Sequence, residues 1–167
     1  IEDGKGVTNA HIANAVYNLN GALAEKVRIN VQNNVSNAGV AIQEVLCSGQ
    51  RVSDSKTYHN LLQKAESFDY EGTAINSSFP PERITNDLKI YGVSNGWHTW
   101  KDAVFSTVST TNPSGTITYN FDAVYSLETL NIEGYANGYV DTVKIEAYHN
   151  GVWTTVFNKT NSSTKYF

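Results

Sequence analysis

Over the first third of the chain, apolar residues recur at steps of three and four: Ile12, Val16, Leu19, Leu23, Val27, Val31, Val35, Ala38, Ile42 and Val45. From Ile12 to Val45 the mean step is about 3.67 residues, an eleven-residue period rather than a heptad. Asn, Gln, Ser, Lys and Glu fill the positions between, so the pattern predicts an amphipathic helix over about 8–47 with one buried stripe. Gly21 and Gly39 each weaken such a helix by about 1 kcal/mol relative to alanine. The stripe would run about 50 Å, longer than the ~17–20 Å strands of a small sheet domain. Either the helix packs on its own domain or identical helices cover it. The length favours a homo-oligomeric stalk, with a trimer as the commonest case. "CSGQRVSDS", 47–55, ends the helix, with Gly49 as C-cap and the Ser/Asp cluster as linker. The stretch that follows accommodates a short helical turn around Leu61 and Leu62.

From about residue 66 the period changes to two. "GTITYNFD" (115–122) sets Ile117, Tyr119 and Phe121 against Thr116, Thr118 and Asn120. "YSLETLNIEGY" (125–135) sets Leu130, Ile132 and Gly134 against Asn131 and Glu133. In 140–157, Val143, Ile145 and Ala147 share a face, and His149-Asn150-Gly151 separates two alternating runs. Asn-Gly accepts the positive φ angles of a type I′ turn, so this is a hairpin. Pro80 and Pro81 mark 77–84 as a loop. Short strands at this spacing predict an antiparallel β-sandwich or jelly roll. The chain thus divides into a helical segment and linker at 1–51 and a β-sandwich at 52–167: mostly β, with an N-terminal helix.

Composition narrows the function. Charged residues make up 17% of the chain, against roughly 25% in an average soluble protein. Asn, Thr, Ser, Gly and Tyr replace them, a surface chemistry common in extracellular, sugar-handling and viral surface proteins. The net charge of −4 shows no basic footprint for a nucleic acid. No apolar run is long enough to insert in a membrane. The opening "IEDGKG", with methionine absent throughout, reads as a piece of something longer. Cys47 is the one cysteine, so no internal disulfide forms; it reads as a small buried residue rather than a nucleophile.

The segment from Gly115 to Val156 resembles discoidin-type domains, the coagulation-factor C-type members of the galactose-binding-like jelly rolls. Trp97 or Trp100 fits the tryptophan that ends a loop in that family. Ile117–Asp122 fits one strand, Leu127–Ile132 the next, and Ile145–Val156 the hairpin. The family expects one or two strands beyond "NSSTKYF". It often holds a structural calcium near the loop before the tryptophan. Here "ITNDLKIYG" lacks the compact Asp-Gly, and a calcium on backbone carbonyls and Asp87 stays open as the sole cofactor candidate. A long polar helix before such a jelly roll also resembles receptor-binding and accessory baseplate proteins of tailed phages. That resemblance implies a virion or extracellular location, other baseplate or virion proteins as partners, and cell-surface polysaccharide as ligand.

Sugar recognition needs flat apolar faces for C–H groups and amides, carboxylates or cations for hydroxyls. In galactose-binding-like domains the ligand sits on loops at one end of the barrel, and the aromatic residues in such loops are the candidates. "GVSNGWHTWKDA" (92–103) carries Trp97, His98, Trp100, Lys101 and Asp102, with Tyr91 just before it; Tyr135 and Tyr139 bracket a second loop. Each has a plainer reading: Trp97 closes the core, Lys101 and Asp102 pair on the surface, and the tyrosines pack at strand ends. Trp153 reads as structural and His149 as exposed. No G-x-S-x-G, H-E-x-x-H, C-x-x-C or phosphate loop occurs, and the acidic residues are spread one per segment. The expectation is a non-catalytic carbohydrate-binding module, presented multivalently by its stalk. The alternatives are a docking domain of a virion or secreted assembly, or an appended module of a glycan-degrading enzyme.

Overall fold

A computed structural model describes residues 14–32, 41–72, 93–94, 97–98, 105–106, 114–134 and 142–160. Ten strands occur among them: β1 (Asn14–Gln32), β2 (Ala41–Arg51), β3 (Thr57–Tyr58), β4 (Ala65–Gly72), β5 (Val93–Ser94), β6 (Trp97–His98), β7 (Phe105–Ser106), β8 (Ser114–Gly134), β9 (Thr142–His149) and β10 (Val152–Thr160). Eight join in one antiparallel sheet in the order β10-β9-β1-β8-β2-β3, with β4 also on β8 and β7 on β2. The β5–β6 pair is separate. The one helical element among the described residues is a 3₁₀ turn, Leu61–Lys64, capped by Asn60, whose side-chain oxygen accepts the Leu62 N–H.

The fold is therefore mostly antiparallel β, as the second half of the sequence predicts, but the expected helix is corrected over 14–32 and 41–47, and 48–51, expected as linker, continues the second strand. Both segments are strands of the main sheet, and the rest of 8–47 lies outside the described residues. The physical reason is a pair of irregularities in β1. Buried positions run Tyr17, Leu19, then Ala24, then Val27, Ile29 and Val31. Within each run the step is two. Register shifts between Asn18 and Ala22, and between Ala24 and Lys26, reverse which parity faces inward. Asn20 (φ 54°) and Gly21 (φ 71°) make the first of these in the left-handed region. Two strand phases joined by bulges thus imitate steps of three and four. The imitation fails at Val16 (42% exposed) and Leu23 (44% exposed), which the helical stripe would bury.

β1 and β8 are the backbone of the sheet and pair along their whole lengths. The predicted strands at 115–122 and 125–135 are one continuous strand, β8, that changes neighbours midway. Its first half pairs with β4 and its second half with β2. β1 also bends sharply. Tyr17 packs against Phe157 with ring centroids 4.4 Å apart and planes tilted by 45°, while Phe157 registers with Ile145 and Ile145 with Ile29. Twelve residues of straight strand would separate Tyr17 from Ile29 by about 40 Å, against about 10 Å for two rungs of the sheet. The N-terminal half of β1 therefore folds back over the core. Val27, Ile29, Ile117, Tyr119, Leu127, Leu130, Val143 and Ile145 fill that core in a single cluster.

Cys47 lies in the middle of β2, not at a helix end, and is fully buried; burial pushes its thiol pKa up to about 12, so it is a packing residue. Gly49 is likewise a strand residue rather than a cap. The hairpin expected at His149-Asn150-Gly151 is borne out: Asn150 has φ 50° and Gly151 φ 83°, between β9 and β10.

Candidate functional site

One half of the main sheet has a wholly polar and aromatic outer face. On β1, Val27, Ile29 and Val31 point into the core, so Lys26, Arg28, Asn30 and Gln32 point out. Residues opposite one another in a sheet share a face. Lys26, Arg28 and Asn30 register with Tyr148, Glu146 and Lys144 on β9, and those with Trp153, Thr155 and Asn158 on β10. On the other side β1 meets Asn120, Thr118 and Thr116 of β8, and beyond them lie Ser67, Asp69 and Glu71 of β4. Five strands thus present amides, hydroxyls, charges and two aromatic rings, with no aliphatic side chain among these positions.

The centre of the face is ordered by Glu146. Its carboxylate accepts from Arg28 Nε at 2.9 Å and Asn30 Nδ2 at 3.0 Å, and pairs with Lys144 Nζ at 2.6 Å. These partners cover it so fully that only 7% of Glu146 is exposed, although it sits on the outer face. Burial pushes its pKa up, but the hydrogen bonds from Lys144, Arg28 and Asn30 and the Arg28 charge outweigh that, and the net shift is downward. Asn30 is held in turn by Thr116, whose hydroxyl donates to Asn30 Oδ1 at 3.1 Å. Asn120 donates to Ser67 Oγ at 3.1 Å and to Asp69 Oδ2 at 3.4 Å.

A depressed carboxylate pKa has a definite consequence. Glu146 contributes stability that is complete above its unfolded value of ~4.3 and is lost as the pH falls through the lower folded value. Glu146→Gln should therefore narrow the difference in urea midpoint between pH of about 7 and about 2.5. An equally large acid loss in both proteins would show that the ion cluster does not form in solution.

The aromatic corner adjoins this cluster. The Arg28 guanidinium lies 4.1 Å from the Trp153 ring centroid, and Lys26 Nζ lies 5.4 Å from that of Tyr148. The Trp153 and Tyr148 rings are 5.2 Å apart at 55°. Both residues are half-buried, so each keeps ring surface open to solvent. His149, expected to be exposed, is half-buried at the hairpin, with Nδ1 3.8 Å from Glu25 and Nε2 3.1 Å from Asn150 Nδ2.

Of the site residues predicted from sequence, Trp97 and His98 form β6. There His98 registers with Val93 and Trp97 with Ser94. Tyr91, Trp100, Lys101, Asp102, Tyr135 and Tyr139 lie outside the described residues, as does Asp87 of the calcium candidate. The structure brings together a different set: Lys26, Arg28, Asn30, Lys144, Glu146, Tyr148 and Trp153. The first three were hidden by the helical reading of β1. Their signal was the alternation Val27-Arg28-Ile29-Asn30-Val31, which puts them opposite the core. Among the described residues, no three His, Cys, Asp or Glu side chains gather as a metal site. Comparison with protein-family models, curated proteins and solved structures gives no match.

Proposed function

We propose that this protein is a non-catalytic saccharide-binding module. The observation that carries the reading is the outer sheet face, where Trp153 and Tyr148 stand beside a field of amide, hydroxyl and charged groups on five strands. A pyranose offers a C–H face and a ring of hydroxyls; open aromatic surface suits the first, and Asn, Thr and Glu/Lys pairs the second. Because the strands are rigid and the side chains pre-bonded, little ordering opposes binding. Trp97, in β6, and Trp100 are a second contact region in the same proposal. So are a galactose-binding-like sandwich and a location on a virion tail or outside the cell, where cell-surface polysaccharide is met. A single site of this kind binds weakly, and several copies on one assembly would strengthen it by avidity. Strands at 14–32 and 41–51 take away the helical stalk as the means of gathering copies.

The test is a glycan array and cell-wall polysaccharide binding by wild type, Trp153→Ala and Trp100→Ala, with the fold followed by circular dichroism. The expected result is a loss of binding of about tenfold or more for Trp153→Ala with the spectrum unchanged. Folded wild type that binds no glycan sinks the reading and moves the weight to protein docking.

A further inference from the structure

We infer that the β9–β1 part of this face takes the acidic group of its ligand, a carboxylate or phosphodiester on a saccharide chain; this rests on the saccharide reading above. The argument begins with a charge imbalance. Lys26, Arg28 and Lys144 stand on two adjacent strands whose carboxylates are Glu146, held among them, and Glu25, turned to His149. The protein as a whole carries −4, so this local excess of cations runs against its overall sign. The next carboxylates on the face, Asp69 and Glu71, stand on β4, two strands from β1 and so about 10 Å away. Glu25, beside Lys26 in the chain, faces His149 Nδ1.

The three cations are not equivalent. Lys144 closes on Glu146 Oε1. Arg28 uses only Nε on Glu146, and its two terminal amino groups meet no acceptor among the described residues. Glu146 and the Trp153 ring together fix the plane of the guanidinium, so its free edge is presented rather than searching. That edge is the donor pair a carboxylate or phosphate oxygen pair accepts. Lys26 stands two residues along the same strand, about 7 Å away. Its ammonium lies over Tyr148 and forms no ion pair among the described residues. An anion on the Arg28 edge thus has a second, uncompensated cation within reach, with Trp153 and Tyr148 beside it for the sugar ring. A single-stranded nucleic acid also uses stacking and cations, but it needs a basic track along its length. Here the cations stop after two strands, and Asp69 and Glu71 stand beyond β8.

The experiment titrates the intact protein with polygalacturonate, with the same polymer after carboxyl reduction, with poly(glycerol phosphate), with neutral dextran and with oligothymidylate. Each is repeated for Lys26→Gln and Arg28→Lys, with circular dichroism as fold control. The expected result is binding of one or both acidic polymers about tenfold tighter than of the neutral ones. It weakens with added salt. Lys26→Gln loses about three- to tenfold on the acidic polymer and nothing on neutral glycans, and Arg28→Lys loses more. The carboxylate and phosphate arms separate the two sources of the anion. Binding of neither acidic polymer more tightly than reduced polygalacturonate and dextran overturns the inference while the saccharide reading stands. Binding of oligothymidylate alone, or of none of the five by folded protein, overturns both.

Discussion

Ile29→Ala lowers the stability of the protein by about 2–5 kcal/mol, while Leu23→Ala costs less than about 1 kcal/mol. Ile29 is fully buried in the middle of β1, registered between Ile145 on β9 and Ile117 on β8, and all three belong to one cluster. Removing its side chain leaves a cavity between three strands whose spacing backbone hydrogen bonds hold, so the site cannot collapse onto it. Leu23 is 44% exposed and gives up little buried surface. The pair matters because a helical reading of this segment ranks the residues the other way. It places Leu23 on the buried stripe and leaves Ile29 off it. Urea midpoints of the two variants decide between them. Greater loss from Leu23→Ala would mean that 14–32 is helical in solution, and the outer face built on β1 would fall with it.

What the sequence showed depended on whether a strand stayed in phase. β9 and β10 have one dominant alternation and a turn with its own chemistry, and Val143, Ile145, Ala147 and the Asn150-Gly151 turn were all readable. The first half of β8 was readable for the same reason, through Ile117, Tyr119 and Phe121. Its junction was not. After Phe121, β8 passes to new partners through an irregularity in which six residues, Asn120 to Tyr125, span the three from Lys26 to Ala24 on β1. Alternation stops at such a place although the strand continues. β1 has two irregularities in nineteen residues, and its signal became a different periodicity altogether. Phase, rather than hydrophobicity, is the information a bulge removes.

The site followed the same logic. An outer sheet face is visible in a sequence only as the complement of a correctly phased inner face. Tyr148 and Trp153 belong to a hairpin legible in the sequence, but the Arg28 guanidinium over the Trp153 ring is not legible there, because Arg28 lies in a segment whose pattern reads as helix. The Glu146 cluster joins residues 118 and 116 positions apart, Arg28 and Asn30 on one side and Glu146 on the other. No spacing rule reaches across such a separation; strand order does. At 91–102, by contrast, aromatic and charged residues are contiguous in sequence and legible without any strand order.

Gly49→Ala is the second large effect, a loss of about 3 kcal/mol, and its cause is contact rather than backbone freedom. Gly49 registers with Leu127 on β8 and with Tyr58 on β3, at a register shift between Ser48 and Gly49. A methyl group there would lie 2.3 Å from the Ser126 carbonyl oxygen and 2.7 Å from Leu61 Cδ2. The leucine end is a flexible side-chain tip, but Leu61, the first residue of the 3₁₀ turn, is fully buried. The carbonyl belongs to a strand paired on both sides, with β1 and β2, and moving it disturbs both ladders. Overpacking against such neighbours typically costs 1–3 kcal/mol, occasionally more, and the fixed carbonyl puts this site at the upper end. A glycine acting only as a left-handed helix cap would give about 1 kcal/mol, so the size of the loss distinguishes the two roles. A double-mutant cycle with Leu61→Ala identifies the obstacle. If the carbonyl is the barrier, the two losses add; if the leucine tip is, the double variant recovers much of the Gly49→Ala loss. Wild-type stability for Gly49→Ala alone would mean that β2 and β8 do not approach this closely, and the order of the sheet would have to be redrawn from β2 outward.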